Sequence, residues 1–397
     1  MPHTVVIEAL RTPRGTAKET GALHGVTPME LLAGVLRELA QRTGVDTNEV
    51  ADGVFGCVTQ TGEQGGNIGK SACLLADWSP HLSAVTINRY CASGLSAVNW
   101  AAQQARDAHG LAVAGGVEMM SRVPMFGDKV PYYTDRTLGG RIGFVPPPWS
   151  SDLVATRHGF SREDCDAYAA LSQARALAAR TRGLARSMAP VLDAQGQLLL
   201  DHDENIRAGN TPDKLATLRP VYEAGANGLD DWGLAREPEL GQIQHVHTAG
   251  NAPCMADGAA AVLIGTADAA ARLGLSMRAR ILAHADACVP LTQTGAVDAT
   301  HKALTKAGLR VADIDLWEVR DSFAAITLHY IRSLGIPLEK FNVNGSSIAL
   351  GHPMGATGAM LVSCLLDEMD TRDLRYGVAA LPGAFGVATA TVFERLR

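Results

Sequence analysis

Two stretches far apart in the chain share one pattern: the end of a strand, a turn rich in small residues, and an apolar helical segment. The first, "AVTINRYCASGLSAVNWAAQQ", begins at residue 84, and the second, "FNVNGSSIALGHPMGATGAMLVSCLLDEM", begins at residue 341. Residues 4–8 and 84–88 have strand composition, while 28–42 and 94–108 have helical periodicity. This alternation predicts an α/β protein whose sheet is covered on both faces.

The repeat predicts two similar halves with a long insertion in the first. Residues 1–119 and 246–268 would form the first half, in which "LAVAGGVEMM" is a strand that ends at Glu118, and 269–397 would form the second. Residues 120–245, with loop-like segments such as "PPPW" and "GNTPDK", would form an inserted loop domain. Within it, "SRED" from Ser161 predicts a capping box at the start of a helix.

Composition excludes several classes of function. Apolar residues make up 47% of the chain and charged residues 19%, which is typical of a globular protein. A net charge of −6 without a basic cluster argues against nucleic-acid binding. We see neither a signal peptide nor a run of the roughly 18 apolar residues that a membrane span needs. Seven scattered cysteines fit a reducing cytoplasm, and the absence of C-x-x-C or H-E-x-x-H spacing predicts no metal.

Cys91, in "NRYCASG", stands between a predicted strand and a predicted helix. A buried cysteine is commonly inert packing. However, the N–H groups of a helix N-terminus stabilise a thiolate and can hold an oxyanion. Two interpretations therefore stay open for Cys91, a core residue or a nucleophile. We expect the other six cysteines, such as Cys73 and Cys364, to be structural residues in apolar helical runs.

His352, in "GHPMGATG", occupies the matching turn of the second half. A single histidine is more often structural, but here glycines flank it and Pro353 fixes the next φ. A base at this turn could face Cys91 across the pseudo-twofold axis, and a Cys–His pair is the minimal set for covalent acyl transfer. The stretch "GGNIGKSA" is not a phosphate loop, because Gln64 stands where that motif needs glycine.

Five segments resemble, in order, motifs of the thiolase family: "RTPRG", "NRYCASG", "GGVEMMS", "TAGNAPCMADGAAAVL" and "NVNGSSIALGHPMGATG". The resemblance covers nearly the whole chain. It implies the thiolase fold, in which duplicated βαβαβαββ halves form a five-layered α-β-α-β-α core and the inserted loop domain binds coenzyme A.

The resemblance also implies an activity, an acyltransferase of the acetyl-CoA C-acyltransferase class. Cys91 would be acylated by a CoA thioester, and His352 would activate it and later polarise a thioester carbonyl. An acyl-CoA would be the substrate, with no permanently bound cofactor. The protein would be a cytoplasmic homodimer or homotetramer without nucleic-acid or membrane partners.

The C-terminal part of the predicted site departs from the family pattern. Thiolases carry a second cysteine there, in a C-x-G turn, as the acid/base of the condensation step, and this chain reads "AALPGAFG". An ungapped placement puts Ala380 at the cysteine and Pro382 at the glycine. The second thiol is therefore missing, and Pro382 would also remove an N–H that helps to hold an oxyanion.

A second departure replaces the family's Asn-Glu-Ala-Phe motif by "RDSF", residues 320–323. Arg320 stands where an asparagine or histidine orients water in an oxyanion hole. Ser322 is the oxygen counterpart of a cysteine that sterol-carrier-protein thiolases carry, but a hydroxyl is several pKa units too weak to replace a thiol. If it points inward, we expect Arg320 to pair with Asp321, with Glu318 or another carboxylate, or with a carboxylate on the substrate.

Other predicted contacts concern CoA and the acyl group. Lys214 and Arg219 would meet the CoA phosphates, and Pro253 replaces a serine that contacts pantetheine in the family. The prolines at 146–148 replace a His-Met-Gly stretch and would reshape the acyl pocket.

Three functions stay open at this point. The first is acyl transfer of the thiolase type. The second is a Cys-dependent enzyme without Claisen thiolysis, which runs decarboxylative condensation, simple acyl transfer or thioester hydrolysis. The third is a weakly active subunit that binds CoA esters.

Overall fold

The computed structural model describes residues 3–183, 186–225 and 228–396. Its strands are β1 Thr4–Arg11, β2 Gly15–Thr16, β3 Val50–Gly56, β4 Ser83–Ile87, β5 Leu111–Met119, β6 Val191–Leu192, β7 Leu198–Leu200, β8 Ala256–Thr266, β9 Ala279–Cys288, β10 Leu316–Val319, β11 Tyr376–Pro382 and β12 Val387–Arg395. Its α-helices are α1 Pro28–Thr43, α2 Ile68–Leu75, α3 Ser93–Asp107, α4 Arg136–Ile142, α5 Pro147–His158, α6 Arg162–Thr181, α7 Pro212–Ala216, α8 Leu229–Leu234, α9 Ala267–Arg272, α10 Gly295–Ala307, α11 Ala324–Leu334, α12 Ser347–Leu350 and α13 Thr357–Thr371.

One sheet runs through both halves of the chain. Its strand order is β10-β11-β12-β9-β1-β8-β5-β3-β4, and β2 pairs with the start of β8. The two halves meet where β1 and β9 pair antiparallel, with Thr4 opposite Ile281 and Val6 opposite Ala279. The first half therefore contributes β1-β8-β5-β3-β4, and the second contributes β9-β12-β11-β10.

The two halves have the same internal order, which confirms the predicted duplication. In the first half, α1, α2 and α3 connect β1, β3, β4 and β5 in turn. In the second half, α10, α11 and α13 occupy the corresponding places between β9 and β11. The counterpart of β4 is very short, because Phe341 forms only an isolated parallel bridge to Trp317. The turns that carry Cys91 and His352 are thus equivalent positions of the repeat.

The structure has five layers, and each of its three helical layers packs on the sheet through one large apolar cluster. α1 and α2 pack on the outer face of the first half, where Phe55 is fully buried. α3 and α13 pack against each other between the halves, and Leu95 and Met360 belong to their shared cluster. α10 and α11 cover the second half, and Leu304 of α10 and Trp317 of β10 belong to their shared cluster. With the two halves of the sheet as the two β layers, the resulting α-β-α-β-α order is the one that the family resemblance implies.

Local sequence explains where several helices begin and end. Before α1, the Thr27 hydroxyl accepts a hydrogen bond from Glu30 N, and the Glu30 carboxylate accepts one from Thr27 N. The helix stops at Gly44, whose φ of 66° glycine adopts without strain. At the start of α6, Ser161 and Asp164 form the capping box that "SRED" predicts.

The longest described helix, α6, has 20 residues but carries charged side chains along its length. No helix within the described residues is long and apolar enough to cross a membrane. In the same ranges, no group of three or more histidine, cysteine or acidic side chains is arranged to hold a metal ion.

Candidate active site

Cys91 lies in a sharp turn between β4 and α3. The preceding residue, Tyr90, has a φ of 49°, a left-handed conformation that residues other than glycine seldom adopt. The Ser93 hydroxyl closes the turn, because it accepts from Arg89 N at 2.8 Å and donates to the Tyr90 carbonyl at 2.5 Å. Cys91 is partly exposed, whereas its neighbour Ala92 is fully buried. The turn therefore keeps Cys91 accessible at the start of the helix.

The N-terminus of α3 has no side-chain cap. The N–H groups of a first helical turn lack intrahelical acceptors and carry partial positive charge. Cys91 stands two residues before the first helical residue, Ser93. Because such N–H groups stabilise a thiolate or an oxyanion, this position favours the nucleophile interpretation over inert packing.

His352 is held in one tautomer by the helix that follows it. The Thr357 hydroxyl donates to the Pro353 carbonyl at 2.9 Å, so it accepts from His352 Nδ1, 2.7 Å away. The proton therefore resides on Nδ1, and Nε2, which is buried and has no partner among the described residues, is the free acceptor. Burial lowers the pKa of His352 well below its usual value, and Arg320 and Arg14 add to this effect. His352 is thus a neutral imidazole with an available lone pair.

Glycine residues allow the two turns to approach each other. Gly94 and Gly355 each lie three residues after the candidate catalytic side chain of their turn. A Cβ on Gly94 would lie 2.6 Å from the Gly355 carbonyl oxygen, and one on Gly56 would lie 2.5 Å from it. Such distances are shorter than any normal contact, so side chains at these positions would force the turns apart. Glycine here is what permits Cys91 and His352 to share one end of the α3–α13 pair.

Glu118 ties the His352 turn to the first half of the sheet. The predicted end of β5 at Glu118 is wrong by one residue, because this residue and Met119 keep their pairing with β8. The buried Glu118 carboxylate accepts from Gly355 N and Val58 N at 2.9 Å, from Thr59 N at 3.0 Å, and from the Gln64 amide at 2.8 Å.

The four donors act against the rise in pKa that burial causes at Glu118. This positioning role of Glu118 was not predicted from the sequence. The available signal was an acidic residue within an otherwise apolar strand.

Arg320 follows β10 and is 3% exposed. Its Nη1 donates to the Pro382 carbonyl at 2.7 Å, and its backbone N–H donates to the Ala380 carbonyl at 3.1 Å. Burial lowers the pKa of the guanidinium, while the nearby Cys91 and Asp321 oppose that shift. The charge of Arg320 in turn lowers the pKa of His352.

The expected pairing of Arg320 with Asp321 or Glu318 is wrong. Asp321 instead accepts from the Ser172 hydroxyl at 3.0 Å and from Ile348 N at 2.8 Å. Burial raises the pKa of Asp321 to about 7. Burial and the nearby Glu368 raise that of Glu318 to about 8. Both carboxyl groups serve other contacts or hold a proton, so neither supplies a full counter-charge.

Ser322 is completely buried, and its hydroxyl has no partner among the described residues. The position of the missing second cysteine is occupied by Ala380, which is buried in β11 opposite Ala390. Pro382 offers no N–H, and its carbonyl is occupied by Arg320. In the placement made from the sequence, the structure thus has a methyl group where the family has its second thiol.

The turn after β11 reaches toward Cys91 through aromatic side chains. Phe385 has a φ of 57°, and its ring centroid lies 5.3 Å from that of Tyr90 and 5.6 Å from that of Tyr132. The hydroxyls of Tyr90 and Tyr132 are 3.3 Å apart. None of these contacts is visible in the sequence, because the three residues come from distant segments.

The prolines at 146–148 lie beside this aromatic cluster. Pro147 is the first residue of α5, a position that suits its fixed φ and missing N–H. Pro146 lines a cavity of about 450 Å³ together with Tyr132, Phe144 and Trp232. The replaced stretch therefore contributes to the wall of a cavity that is rich in aromatic side chains.

Pro253 is half-buried in the segment before β8. The carbonyl of the next residue, Cys254, accepts from His352 N at 2.8 Å, and Met255 forms a bridge to His352. The structure thus brings the segment of Pro253 beside the His352 turn.

Lys214 and Arg219 are exposed, in α7 and just after it. This segment packs on Gly250, since a Cβ there would lie 2.6 Å from Cδ2 of Leu215 and Cδ1 of Leu218. Both cations therefore border the loop that leads to Pro253.

The remaining cysteines differ in their surroundings. Cys73 and Cys364 lie in helices, as predicted, and burial raises the pKa of both thiols. The prediction is wrong for Cys288, which is exposed at the end of β9 and whose thiol donates to the Phe385 carbonyl at 3.3 Å. It is also wrong for Cys57 and Cys254, which lie in loops.

Comparison with known proteins finds two family models that match successive parts of the chain. The family model described as "Thiolase, N-terminal domain" matches residues 4–229, and "Thiolase, C-terminal domain" matches 275–395. The chain is 37% identical to a 3-ketoacyl-CoA thiolase of Aeromonas hydrophila and 38% identical to one of Pectobacterium carotovorum. It is also 38% identical to a 3-ketoacyl-CoA thiolase of Citrobacter koseri. In each comparison the similarity covers 100% of both chains.

Proposed function

This chain belongs to the thiolase family of acyltransferases, and we propose that it transfers acyl groups from CoA thioesters through an acyl-enzyme on Cys91. The observation that carries the proposal is the state of His352. Its Nδ1–H donates a hydrogen bond to the Thr357 hydroxyl, and its Nε2 has no partner among the described residues. Its turn packs on the turn of Cys91. A neutral base thus stands at the same end of the core as a cysteine at a helix N-terminus.

The first half-reaction follows from this arrangement. His352 Nε2 takes the proton of the Cys91 thiol, and the thiolate attacks the thioester carbon. The new bond joins Cys91 sulfur to the acyl carbon, the bond from that carbon to the CoA sulfur breaks, and the proton passes from His352 to the leaving thiolate. N–H groups at the start of α3 stabilise the oxyanion that forms in between. The products are acyl-Cys91 and free CoA.

The second half-reaction is where this chain differs. Joining the acyl group to a second acyl-CoA requires a base that removes a proton from the α-carbon. The family uses a thiol at the position that Ala380 occupies, and Ser322 offers only a hydroxyl. We therefore propose that acylation of Cys91 is retained while thiolysis of 3-ketoacyl-CoA is slow.

The missing thiol also favours one second candidate. A Cys-dependent enzyme that runs decarboxylative condensation, simple acyl transfer or thioester hydrolysis needs no such base for the α-proton. The third possibility, a weakly active subunit that binds CoA esters, would leave Cys91 without acyl mass.

CoA would bind between the inserted loop domain, residues 120–245, and the core formed by 1–119, 246–268 and 269–397. Lys214 and Arg219 would meet its phosphates, and pantetheine would pass Pro253 toward Cys91. The positions of these segments support the proposal. The segment that carries the two cations packs on Gly250, in the loop that leads to Pro253. The residue after Pro253, Cys254, accepts a hydrogen bond from His352 N.

We further propose a cytoplasmic homodimer or homotetramer, whose partner is the acyl-CoA substrate and neither nucleic acid nor membrane. The support for an oligomer is β4, which is the last strand in the described sheet order. Val85 on this strand is 46% exposed and Trp100 on the adjoining α3 is 39% exposed. An edge strand with exposed apolar side chains is suited to pairing with a second copy. Light scattering of the purified protein measures the number of subunits.

Peptide mapping after incubation with acetyl-CoA tests the central assignment. We expect acyl mass on the peptide of Cys91 and none in the Cys91→Ala variant, with unchanged circular dichroism. Cys73→Ala serves as the matched control and should still be acylated. Acyl mass on Cys73, Cys254 or Cys364 would contradict the assignment.

A further inference from the structure

Arg320 is a buried cation that forms no ion pair with any described residue. No carboxylate of a described residue lies within 4.0 Å of its nitrogens. Only Nη1 has an acceptor, the Pro382 carbonyl, and Nε is buried without a partner in the described part of the chain. A guanidinium stays protonated in proteins, and burying it unpaired is costly. A ligand that brings an anion would remove that cost.

The neighbouring acids do not fill this role. Asp321 accepts two hydrogen bonds from Ser172 and Ile348. The raised pKa of Glu318, about 8, keeps most of that side chain protonated at neutral pH. Among the described residues, Arg320 therefore has a backbone acceptor but no carboxylate partner.

The unpaired charge belongs to the reaction site. Its acceptor, Pro382, precedes Gly383, where an added Cβ would lie 3.5 Å from the backbone N of Ala92, the residue after Cys91. The same charge lowers the pKa of His352. The bond from Nη1 to Pro382 fixes one corner of the planar group, which leaves Nε and Nη2 as a pair of adjacent donors. Two adjacent guanidinium donors match the two oxygens of a carboxylate.

Resting on the proposed function, we propose that Arg320 binds a carboxylate at the far end of the acyl chain, so that the preferred substrates are ω-carboxyacyl-CoA thioesters. The thioester carbon would face Cys91, and the terminal carboxylate would accept hydrogen bonds from Arg320. This pairing stabilises the carboxylate, so it opposes loss of CO2 and distinguishes the proposal from decarboxylative condensation.

The test compares acyl donors that differ only in the terminal carboxylate. The pairs are succinyl-CoA with butyryl-CoA, glutaryl-CoA with valeryl-CoA, and adipyl-CoA with hexanoyl-CoA. Intact-protein mass spectrometry in a quenched time course gives the rate of acyl-enzyme formation for each. A hydrogen-bonded charge pair predicts a preference of about 10- to 100-fold for the acidic donor in at least one pair.

Variants assign that preference to Arg320. In Arg320→Asn, which restores the neutral amide of the family, the ratio should fall to near one, whereas Arg320→Lys should keep part of it. The matched control is Arg310→Asn, since the side chain of Arg310 is 82% exposed, and it should retain the wild-type ratio. The dissociation constants of succinyl-CoA and butyryl-CoA for Cys91→Ala provide a second readout, independent of chemistry, and should show the same preference.

The outcomes separate this proposal from the function on which it rests. Ratios near one in all three pairs, or a ratio that survives in Arg320→Asn, would overturn the carboxylate assignment while Cys91 is still acylated. Equal slowing of acidic and neutral donors in Arg320→Asn would also overturn it, and would show that Arg320 serves the Cys91 thiolate. Absence of acyl mass with every donor would instead reject the proposed function.

Discussion

Arg320 Nη1 donates a hydrogen bond to the Pro382 carbonyl at 2.7 Å, so two residues that depart from the thiolase pattern are in direct contact. Arg320 follows β10 and Pro382 ends β11, and the two strands run parallel and pair Val319 with Ala380. The changes at positions 320, 380 and 382 therefore occupy one corner of the site. We propose that these changes alter the condensation half of the chemistry, whereas Cys91 and His352 keep the residue types that the acylation half needs.

Restoring the missing groups should restore part of the missing chemistry. The double variant Ala380→Cys, Pro382→Gly returns the thiol and one backbone N–H, and we expect thiolysis of acetoacetyl-CoA to rise by about 10- to 100-fold, the low end of what a general base supplies. The rate of thiolysis is measured from the loss of absorbance of the 3-ketoacyl thioester. The control Ala390→Cys puts a thiol on the facing strand β12 and should give no increase.

His352 should determine how the acylation rate declines at acidic pH. His352→Ala is expected to slow acyl-enzyme formation by about 10² to 10⁴. Because burial holds the pKa of His352 well below its usual value, the wild-type kcat/KM should stay constant down to about pH 6.5 and decline only at lower pH. The decline attributable to His352 should vanish in the variant. An unchanged acylation rate would return His352 to a structural role.

The close approach at Gly94 predicts opposite effects for two glycine-to-alanine changes. Gly94→Ala places a Cβ 2.6 Å from the Gly355 carbonyl oxygen, and we expect a loss of about 1–3 kcal/mol of unfolding free energy together with slower acylation. Gly34→Ala, in the open middle of α1, should stabilise by about 0.5–1 kcal/mol, because alanine is the better helix former. Denaturant titration measures both. Equal effects would show that the turns have room to move apart.

Glu318 should make the protein less stable as pH rises. Its folded pKa, about 8, lies above the unfolded value, so between about pH 5 and 8 the folded state holds a proton that the unfolded state releases. The contribution of Glu318 to the free energy of unfolding is fully present below that range. As pH rises through the range, this contribution falls by at most about 1.4 kcal/mol per pH unit.

Glu318→Gln keeps the neutral form at every pH. Its unfolding free energy relative to wild type should therefore increase from pH 5 to pH 8. Glu339→Gln, at an exposed position, should show no such trend. A constant difference between Glu318→Gln and wild type would mean that Glu318 is ionised throughout.

The sequence predicts those parts of the structure that local pattern determines. The duplicated fold could be predicted from strand and helix composition. The repeat around Cys91 and His352 was sufficient to predict that their two turns are equivalent. The capping box at Ser161 is determined within four residues. The assignment of catalytic and CoA-binding roles stays a prediction that the experiments above test.

Long-range contacts account for what the sequence did not predict. The acceptor for Arg320 is a backbone carbonyl 62 residues away, and a carbonyl carries no signature in the residue type. The donors to Glu118 are likewise mostly backbone N–H groups from segments that only the folded chain brings together. The strand expected at Phe341 shortens to one bridge because the Asn342 side chain bonds to the backbone of Val319 in place of a longer ladder.

The most direct test compares the two half-reactions in one preparation of the wild-type protein. Acyl transfer from acetyl-CoA to Cys91 is measured by mass spectrometry, and CoA-dependent cleavage of acetoacetyl-CoA is measured alongside a 3-ketoacyl-CoA thiolase. We expect Cys91 to become acylated while cleavage is slower than that of the reference enzyme by about 10²-fold or more, the effect of a lost acid/base group. Cleavage as fast as that of the reference enzyme would contradict it.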